Sequence, residues 1–156
     1  MNDTRPLGSS WPAYAAALWS AVFAVFHIVW AMGWYPLLNA EGARAAFATP
    51  WKWWYDVVVA GMCVIAVPVA LAPVMSWGRH VPRRLVYMLA ATGTALLVFR
   101  AAASIAQTVY FVATGTFQLA DMGTWEPWFY LGAYLFTLST CRSRQPITTN
   151  SSAAAA

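Results

Sequence analysis

Five polar side chains interrupt the long apolar stretches of this chain and are its candidates for chemistry. They are His27, Asp56, Arg100, Gln107 and Glu126. An ionisable group inside a membrane span is costly unless it is paired or hydrated, so it marks a functional site by default. His27 is the candidate for proton transfer near neutral pH, with a carboxylate to orient it. We therefore predict His27 and Asp56 as catalytic residues.

Helical spacing places further residues beside these five. Residues three, four or seven positions apart share one face of a helix. Three such stripes occur on three predicted helices, all in the half of the membrane that faces away from the cytoplasm. The predicted ligand-binding residues are Trp30, Arg100, Ser104, Gln107, Glu126 and Tyr130. Their matching depth predicts a shared pocket that opens outward.

Arg100 has more than one predicted partner. Its guanidinium is always protonated and presents a planar fork of donors, so it should pair with Asp56, with Glu126 or with an anionic ligand. A buried pair would also fix the register of the helices without any further function. His27 would then be a hydrogen-bonded packing residue, and Glu126 a solvated helix end. The sequence leaves these alternatives open.

Four apolar stretches are long enough to hold these residues in a bilayer. A hydrocarbon core of about 30 Å requires around 20 apolar residues at about 1.5 Å each. The predicted spans are residues 11–37, 53–77, 85–113 and 125–141. Short connections make consecutive helices antiparallel neighbours. We predict an all-α fold, an antiparallel integral membrane four-helix bundle that forms a single domain over residues 11–144.

The distribution of basic residues predicts the orientation of these spans. Lys and Arg concentrate in the short loops on the cytoplasmic side of a membrane. One side of the predicted bundle carries Arg5, Arg79, Arg83, Arg84, Arg142 and Arg144. Only Arg44 and Lys52 fall on the other side. Both termini should therefore be cytoplasmic, with a short N-terminal segment over residues 1–10 and a disordered tail over residues 145–156.

Composition narrows the class and the cellular location. The chain is 61% hydrophobic and 9% charged, with a mean hydropathy of +0.56, which is far from the balance of a soluble domain. Its basic residues are almost all Arg, which together with the Ala-rich runs favours a bacterial origin. We therefore expect a multi-pass protein of the bacterial cytoplasmic membrane, with the lipid bilayer as its main partner.

Several cofactors and partners are not expected. No cluster of Lys and Arg is interleaved with aromatic residues, so we expect no nucleic-acid partner. Cys63 and Cys141 lack CxxC spacing, which argues against a disulfide or a structural metal. His80 lies in the predicted cytoplasmic turn and is separated in depth from His27, so a bis-His haem is not expected. We predict no cofactor.

Two short motifs resemble a known family. The residues around His27 and Trp30 read His-x-x-Trp-Ala-x-Gly, and the start of the last span reads Trp-Glu-Pro-Trp from Trp125 to Trp128. This pattern resembles an uncharacterised family of small bacterial four-span membrane proteins, a domain of unknown function. The motifs cover a small part of the chain, and the four-span plan extends the match over most of it. The resemblance implies a four-helix membrane fold and implies no activity.

Three functions fit this sequence. The leading hypothesis is a binding protein whose outward-facing pocket holds a small amphiphilic or lipid-like molecule, with Arg100 and His27 at the polar head. The second is a membrane enzyme of the isomerase or hydrolase type, with His27 as acid or base and Arg100 stabilising negative charge. The third is a subunit or assembly factor of a membrane complex, with a homo-oligomer or another membrane protein as partner. A transporter fits less well, because the four spans show no repeat symmetry.

Overall fold

The computed structural model describes residues 10–115 and 126–143, and all regular structure in these ranges is helical. Most of the predicted N-terminal segment 1–10, the predicted tail 145–156 and Trp125 lie outside the described residues. The helices are α1 (Trp11–Ala31), α2 (Ala40–Phe47), α3 (Pro50–Leu71), α4 (Arg83–Ala113) and α5 (Glu126–Ser143), and a 3-10 helix covers Ser76–His80.

Three of these helices, α1, α3 and α4, are long and apolar enough to cross a membrane. Their 21, 22 and 31 residues correspond to about 31, 33 and 46 Å at the α-helical rise. Large apolar side chains on their surfaces are exposed, and Phe99 of α4 retains 74% of its accessible surface. Since soluble proteins rarely expose large continuous apolar surfaces, these helices indicate a membrane protein.

Helix α1 ends at Ala31, six residues before the end of the predicted first span. Gly33 has a φ angle of +87°, which favours glycine. The Gly33 N–H donates to the Trp30 carbonyl at 2.9 Å, and the Trp34 N–H donates to the Val29 carbonyl at 3.2 Å. These two bonds form a Schellman motif that closes the helix. Apolar length alone did not reveal this stop signal.

A short helix, α2, lies in the connection between the first two predicted spans, where no helix was predicted. The Asn39 side chain caps this helix by accepting hydrogen bonds from the N–H groups of Glu41 and Gly42, at 3.1 and 3.0 Å. Glu41 lies in its first turn and Arg44 in its last, which suits the helix dipole. Four alanines among its eight residues supply the helix propensity.

Helix α3 begins with Pro50 at a position where a missing N–H costs no hydrogen bond. Pro68 lies inside the helix. The helix ends at Leu71, whereas the predicted span continued to residue 77. Pro73 follows closely and has no N–H with which to extend the helical ladder. The chain then passes through the 3-10 helix into α4.

The packing of the helices follows one order. Helix α1 packs most extensively on α3 and also on α5, and α5 packs on α4, whereas α3 and α4 touch only slightly. Trp19 and Phe23 of α1 and Phe136 of α5 lie in the buried core. The Trp19 indole N–H donates to the Trp128 carbonyl at 3.0 Å, which joins α1 to the first turn of α5. Helix α1 is thus the centre of the packing.

We expect Gly132→Ala to destabilise the protein, because the Trp19 ring lies where a Cβ at Gly132 would be placed. Overpacking of this kind costs about 1–3 kcal/mol. Gly93→Ala is the matched control, since a Cβ at Gly93 meets nothing within 4 Å. Thermal unfolding in detergent should show a lower Tm for Gly132→Ala and no loss for Gly93→Ala. Equal Tm values for the two variants would contradict the close approach of α1 and α5.

Candidate functional site

The most deeply buried polar contact joins His27 of α1 to Asp56 of α3. Their side chains are 9% and 4% exposed. Nδ1 of His27 lies 2.5 Å from Oδ1 of Asp56. The imidazole also packs edge-to-face against two aromatic rings, with centroid distances of 4.5 Å to Phe23 and 5.0 Å to Trp30. These contacts hold the imidazole in one orientation between two helices.

One polar atom of each partner remains unpaired. Nε2 of His27 and Oδ2 of Asp56 are buried and have no hydrogen-bond partner among the described residues. Leaving a buried polar group without a partner costs about 1–3 kcal/mol, so such groups require an explanation. A bound molecule that satisfies one of these atoms is one explanation, because unpaired buried groups of this kind occur at binding and catalytic sites.

A cavity of about 470 Å³ lies beside this pair. Asp56 and Trp30 are its buried wall residues, while Lys52 and Tyr55 are exposed residues of its wall. The complete lining is Trp30, Leu38, Ala46, Phe47, Trp51, Lys52, Tyr55 and Asp56. An apolar cavity of this size with a few polar groups is typical of a small-molecule site.

The segment between α1 and α3 forms one side of this cavity, and three contacts position it. The Trp30 indole N–H donates to the Pro36 carbonyl at 3.3 Å. The rings of Tyr35 and Phe47 pack with their centroids 5.2 Å apart. The Trp53 indole N–H donates to the Ala31 carbonyl at 3.0 Å, which joins the end of α1 to the start of α3. Residues of α2 therefore lie beside the buried Asp56.

Arg100 and Glu126 form a second polar centre, between α4 and α5. Nη2 of Arg100 donates to Oε1 of Glu126 at 2.9 Å, and Nη1 donates to Oε2 at 3.4 Å. Nη1 also donates to Oγ of the buried Ser104. The guanidinium lies 4.5 Å from the centre of the Phe129 ring, a cation–π contact. The Arg100 side chain is 36% exposed and that of Glu126 is 17% exposed, so this pair is less buried than His27 and Asp56.

Two phenyl rings separate the two polar centres. Phe23 packs edge-to-face on His27, and Phe129 packs edge-to-face on Phe23 with a centroid distance of 5.3 Å. Arg100 lies on the far side of Phe129. The shared pocket predicted from the sequence is therefore divided in this structure into a His27–Asp56 centre and an Arg100–Glu126 centre.

The remaining predicted site residues lie apart from the cavity lining. Among the residues predicted for the site, Trp30 and Asp56 line the cavity, and His27 lies behind them. Ser104 and Glu126 belong to the Arg100 centre. Gln107 is exposed on α4, and Tyr130 is half-buried on α5. Of the two carboxylates predicted as partners of Arg100, Glu126 pairs with it in the structure, and Asp56 contacts His27 instead.

Sequence reasoning missed Lys52, Phe47 and Trp51 as neighbours of the buried carboxylate. Lys52 precedes Asp56 by four residues, and this spacing places both on one face of a helix. That signal was present in the sequence. Phe47 gave no comparable signal, because its position depends on α2, which was expected to be a loop. Within residues 10–115 and 126–143, no three His, Cys, Asp or Glu side chains cluster to hold a metal ion.

Comparisons with protein-family models, curated proteins and solved structures found no match to this chain.

Proposed function

We propose that this protein crosses the membrane four times as an antiparallel helix bundle, with α5 as the fourth span. The contacts Trp53–Ala31 and His27–Asp56 join the end of α1 to the start of α3, as antiparallel neighbours require. Thr94 of α4 and Thr140 of α5 are within hydrogen-bond distance, at 3.1 Å. Arg100, which follows Thr94, pairs with Glu126 at the opposite end of α5. The later residue of α4 therefore contacts the earlier residue of α5, which makes these two helices antiparallel.

The contacts of α5 support its role as a span. Its 18 residues correspond to about 27 Å, close to the thickness of the hydrocarbon core. It packs along α1 through Trp128 and Phe136 and along α4 through Thr140. A helix packed over its length on two spans lies at the same depth as they do. From the excess of Arg on one side, we propose that both termini lie in the cytoplasm of a bacterial cell.

Reporter fusions test this topology. Green fluorescent protein fused to the C-terminus should fluoresce, and alkaline phosphatase fused there should be inactive, because the former folds in the cytoplasm and the latter outside it. A phosphatase fusion within α2, after Gly42, should be active. Phosphatase activity at the C-terminus would contradict a fourth span.

We propose that the protein binds a small amphiphilic molecule in the cavity beside Asp56. The cavity itself carries this proposal: its volume is about 470 Å³, and its lining combines aromatic rings with one cationic and one anionic side chain. In the proposed topology the cavity lies near the outer ends of α1 and α3, where lipid head groups meet the hydrocarbon core. An amphiphile has its polar and apolar parts at this depth.

The residues that would contact this ligand differ from those that the sequence favoured. Arg100 was expected to contact the polar head, yet it is occupied by Glu126 and does not line the cavity. Lys52 and Asp56 are the charged residues of the cavity lining. We therefore assign the polar contacts of the ligand to them, and its apolar contacts to Trp30, Phe47 and Trp51.

Acid–base catalysis in the same cavity is a second candidate function. The 2.5 Å contact between His27 and Asp56 is the arrangement in which a carboxylate orients an imidazole. The unpaired Nε2 of His27 would then be the atom that exchanges a proton with a substrate. This atom is closed to water in the structure, so catalysis requires a substrate that reaches it through the wall of the cavity.

Native mass spectrometry of the detergent-solubilised protein tests the binding proposal. We expect the wild type to retain a small molecule and Ala46→Trp to lose it, because the new indole occupies the cavity. Ala45→Trp is the matched control, since Ala45 is exposed on the same helix and does not line the cavity.

The same experiment separates the candidate functions. Return of the recovered molecule unchanged after incubation with the protein indicates binding, and its conversion to a product indicates an enzyme. Equal retention by both tryptophan variants would contradict the cavity as the binding site. A wild-type protein that retains no small molecule but retains a protein partner would favour the assembly role.

A further inference from the structure

The charges of the cavity limit the ligand that it accepts. Lys52 and Asp56 both belong to its lining, so a charged head of either sign lies near a residue of like charge. A like charge in a poorly hydrated site is strongly disfavoured. A neutral polar head avoids both penalties.

A zwitterionic lipid head does not fit this arrangement either. Lys52 precedes Asp56 by four residues on α3, which corresponds to about 6 Å along the helix axis. In the proposed topology Asp56 is the deeper of the two. A zwitterionic phospholipid carries its ammonium outside its phosphate, which is the same order, so its ammonium would lie beside Lys52 and its phosphate beside Asp56.

The hydrogen-bonding state of Asp56 specifies the polar group further. Oδ1 contacts His27, whereas Oδ2 has no partner among the described residues and is closed to water. A carboxylate oxygen accepts hydrogen bonds, so the group that satisfies Oδ2 must donate one. An uncharged donor on a small amphiphile is most simply a hydroxyl group.

The apolar part of the lining favours an aromatic ring beside that hydroxyl. Four aromatic side chains contribute to the wall: Trp30, Phe47, Trp51 and Tyr55. Aromatic rings gain about 0.5–1.5 kcal/mol from stacked or edge-to-face contact beyond the burial of their area. A cavity of about 470 Å³ accommodates a substituted ring and the first part of an alkyl chain.

We infer that the ligand is a neutral phenol-type amphiphile, whose ring packs among these aromatic side chains and whose hydroxyl donates to Oδ2 of Asp56. Because Oδ2 is closed to water in the structure, binding requires the cavity wall to move away from this atom. This inference rests on the proposed function, because it names the class of molecule that the cavity binds. It assigns the positive charge of Lys52 a selective role, namely the exclusion of amine-headed amphiphiles. The hydroxyl is the group that distinguishes the ligand from other apolar molecules in the bilayer.

The test compares two molecules that differ in one methyl group, 4-nonylphenol and its methyl ether 4-nonylanisole. Binding of each to the protein in phosphatidylcholine nanodiscs is measured by native mass spectrometry, with empty nanodiscs as the blank. We expect 4-nonylphenol to bind at least about tenfold more tightly, because the ether leaves the buried oxygen unpaired. Nonylamine should bind more weakly than 4-nonylphenol.

Two cavity-filling variants locate the binding. Ala46→Trp should abolish binding of 4-nonylphenol, and Lys52→Trp, at an exposed position of the lining, serves the same purpose if the first variant does not fold. If 4-nonylphenol and 4-nonylanisole bind with equal affinity and both variants lose this binding, the hydroxyl assignment is wrong. The proposed binding function then still holds. Tighter binding of nonylamine would overturn the hydroxyl assignment in the same way. Binding that neither variant alters would overturn both.

Discussion

The contact between His27 and Asp56 is the constraint on which the rest of the structure depends. Between helices in a membrane, apolar side chains gain little from exchanging lipid for one another, so they do not fix one arrangement strongly. A buried ionisable group does fix one arrangement of the helices, because it is costly to leave that group without its partner. The 2.5 Å contact can form at only one register of α1 against α3. With that register fixed, the short segment between the two helices has to fold back over their ends.

The geometry of this return segment creates the cavity. Gly33 stops α1 with its last turn next to the start of α3, and the Trp53 indole joins the two at the Ala31 carbonyl. Asn39 then starts a helix of eight residues that carries Ala46 and Phe47 to the wall. The buried carboxylate is therefore both a structural anchor and part of a cavity lining. This double role explains why one of its oxygens is satisfied by the protein and the other is not.

The two polar centres divide structure and function between them. Arg100 has a bidentate carboxylate, a serine hydroxyl and an aromatic face as its neighbours, so its guanidinium charge is paired within the protein. It joins α4 to α5, and Phe129 and Phe23 insulate it from His27. The Asp56 centre has unpaired atoms and adjoins a cavity. A ligand can supply hydrogen bonds that the Asp56 centre lacks, whereas the Arg100 centre already has its carboxylate partner.

Apolar length and charge predicted the positions of the long helices, because lipid imposes a minimum length on any span and excludes charge from it. The same reasoning identified His27, Asp56, Arg100 and Glu126, which form two ion-paired contacts among the described residues. It could not determine how they pair, because two carboxylates were available to each cation and only packing selects between them. It also missed α2, whose stability comes from the Asn39 cap and its alanines rather than from apolar periodicity. Because α2 was not predicted, nothing in the sequence indicated the cavity whose wall includes Phe47.

The most direct test of this account is a double-mutant cycle across the central pair, with His27→Leu, Asp56→Leu and the double variant. The account predicts that each single variant loses about 3–5 kcal/mol of unfolding free energy, because its partner remains buried and unpaired. The double variant should recover most of that loss, which gives a coupling energy of at least about 2 kcal/mol. Unfolding by titration with a denaturing detergent supplies these values. Additive effects below about 1 kcal/mol each would contradict the role of this contact as the constraint that orders α1 and α3.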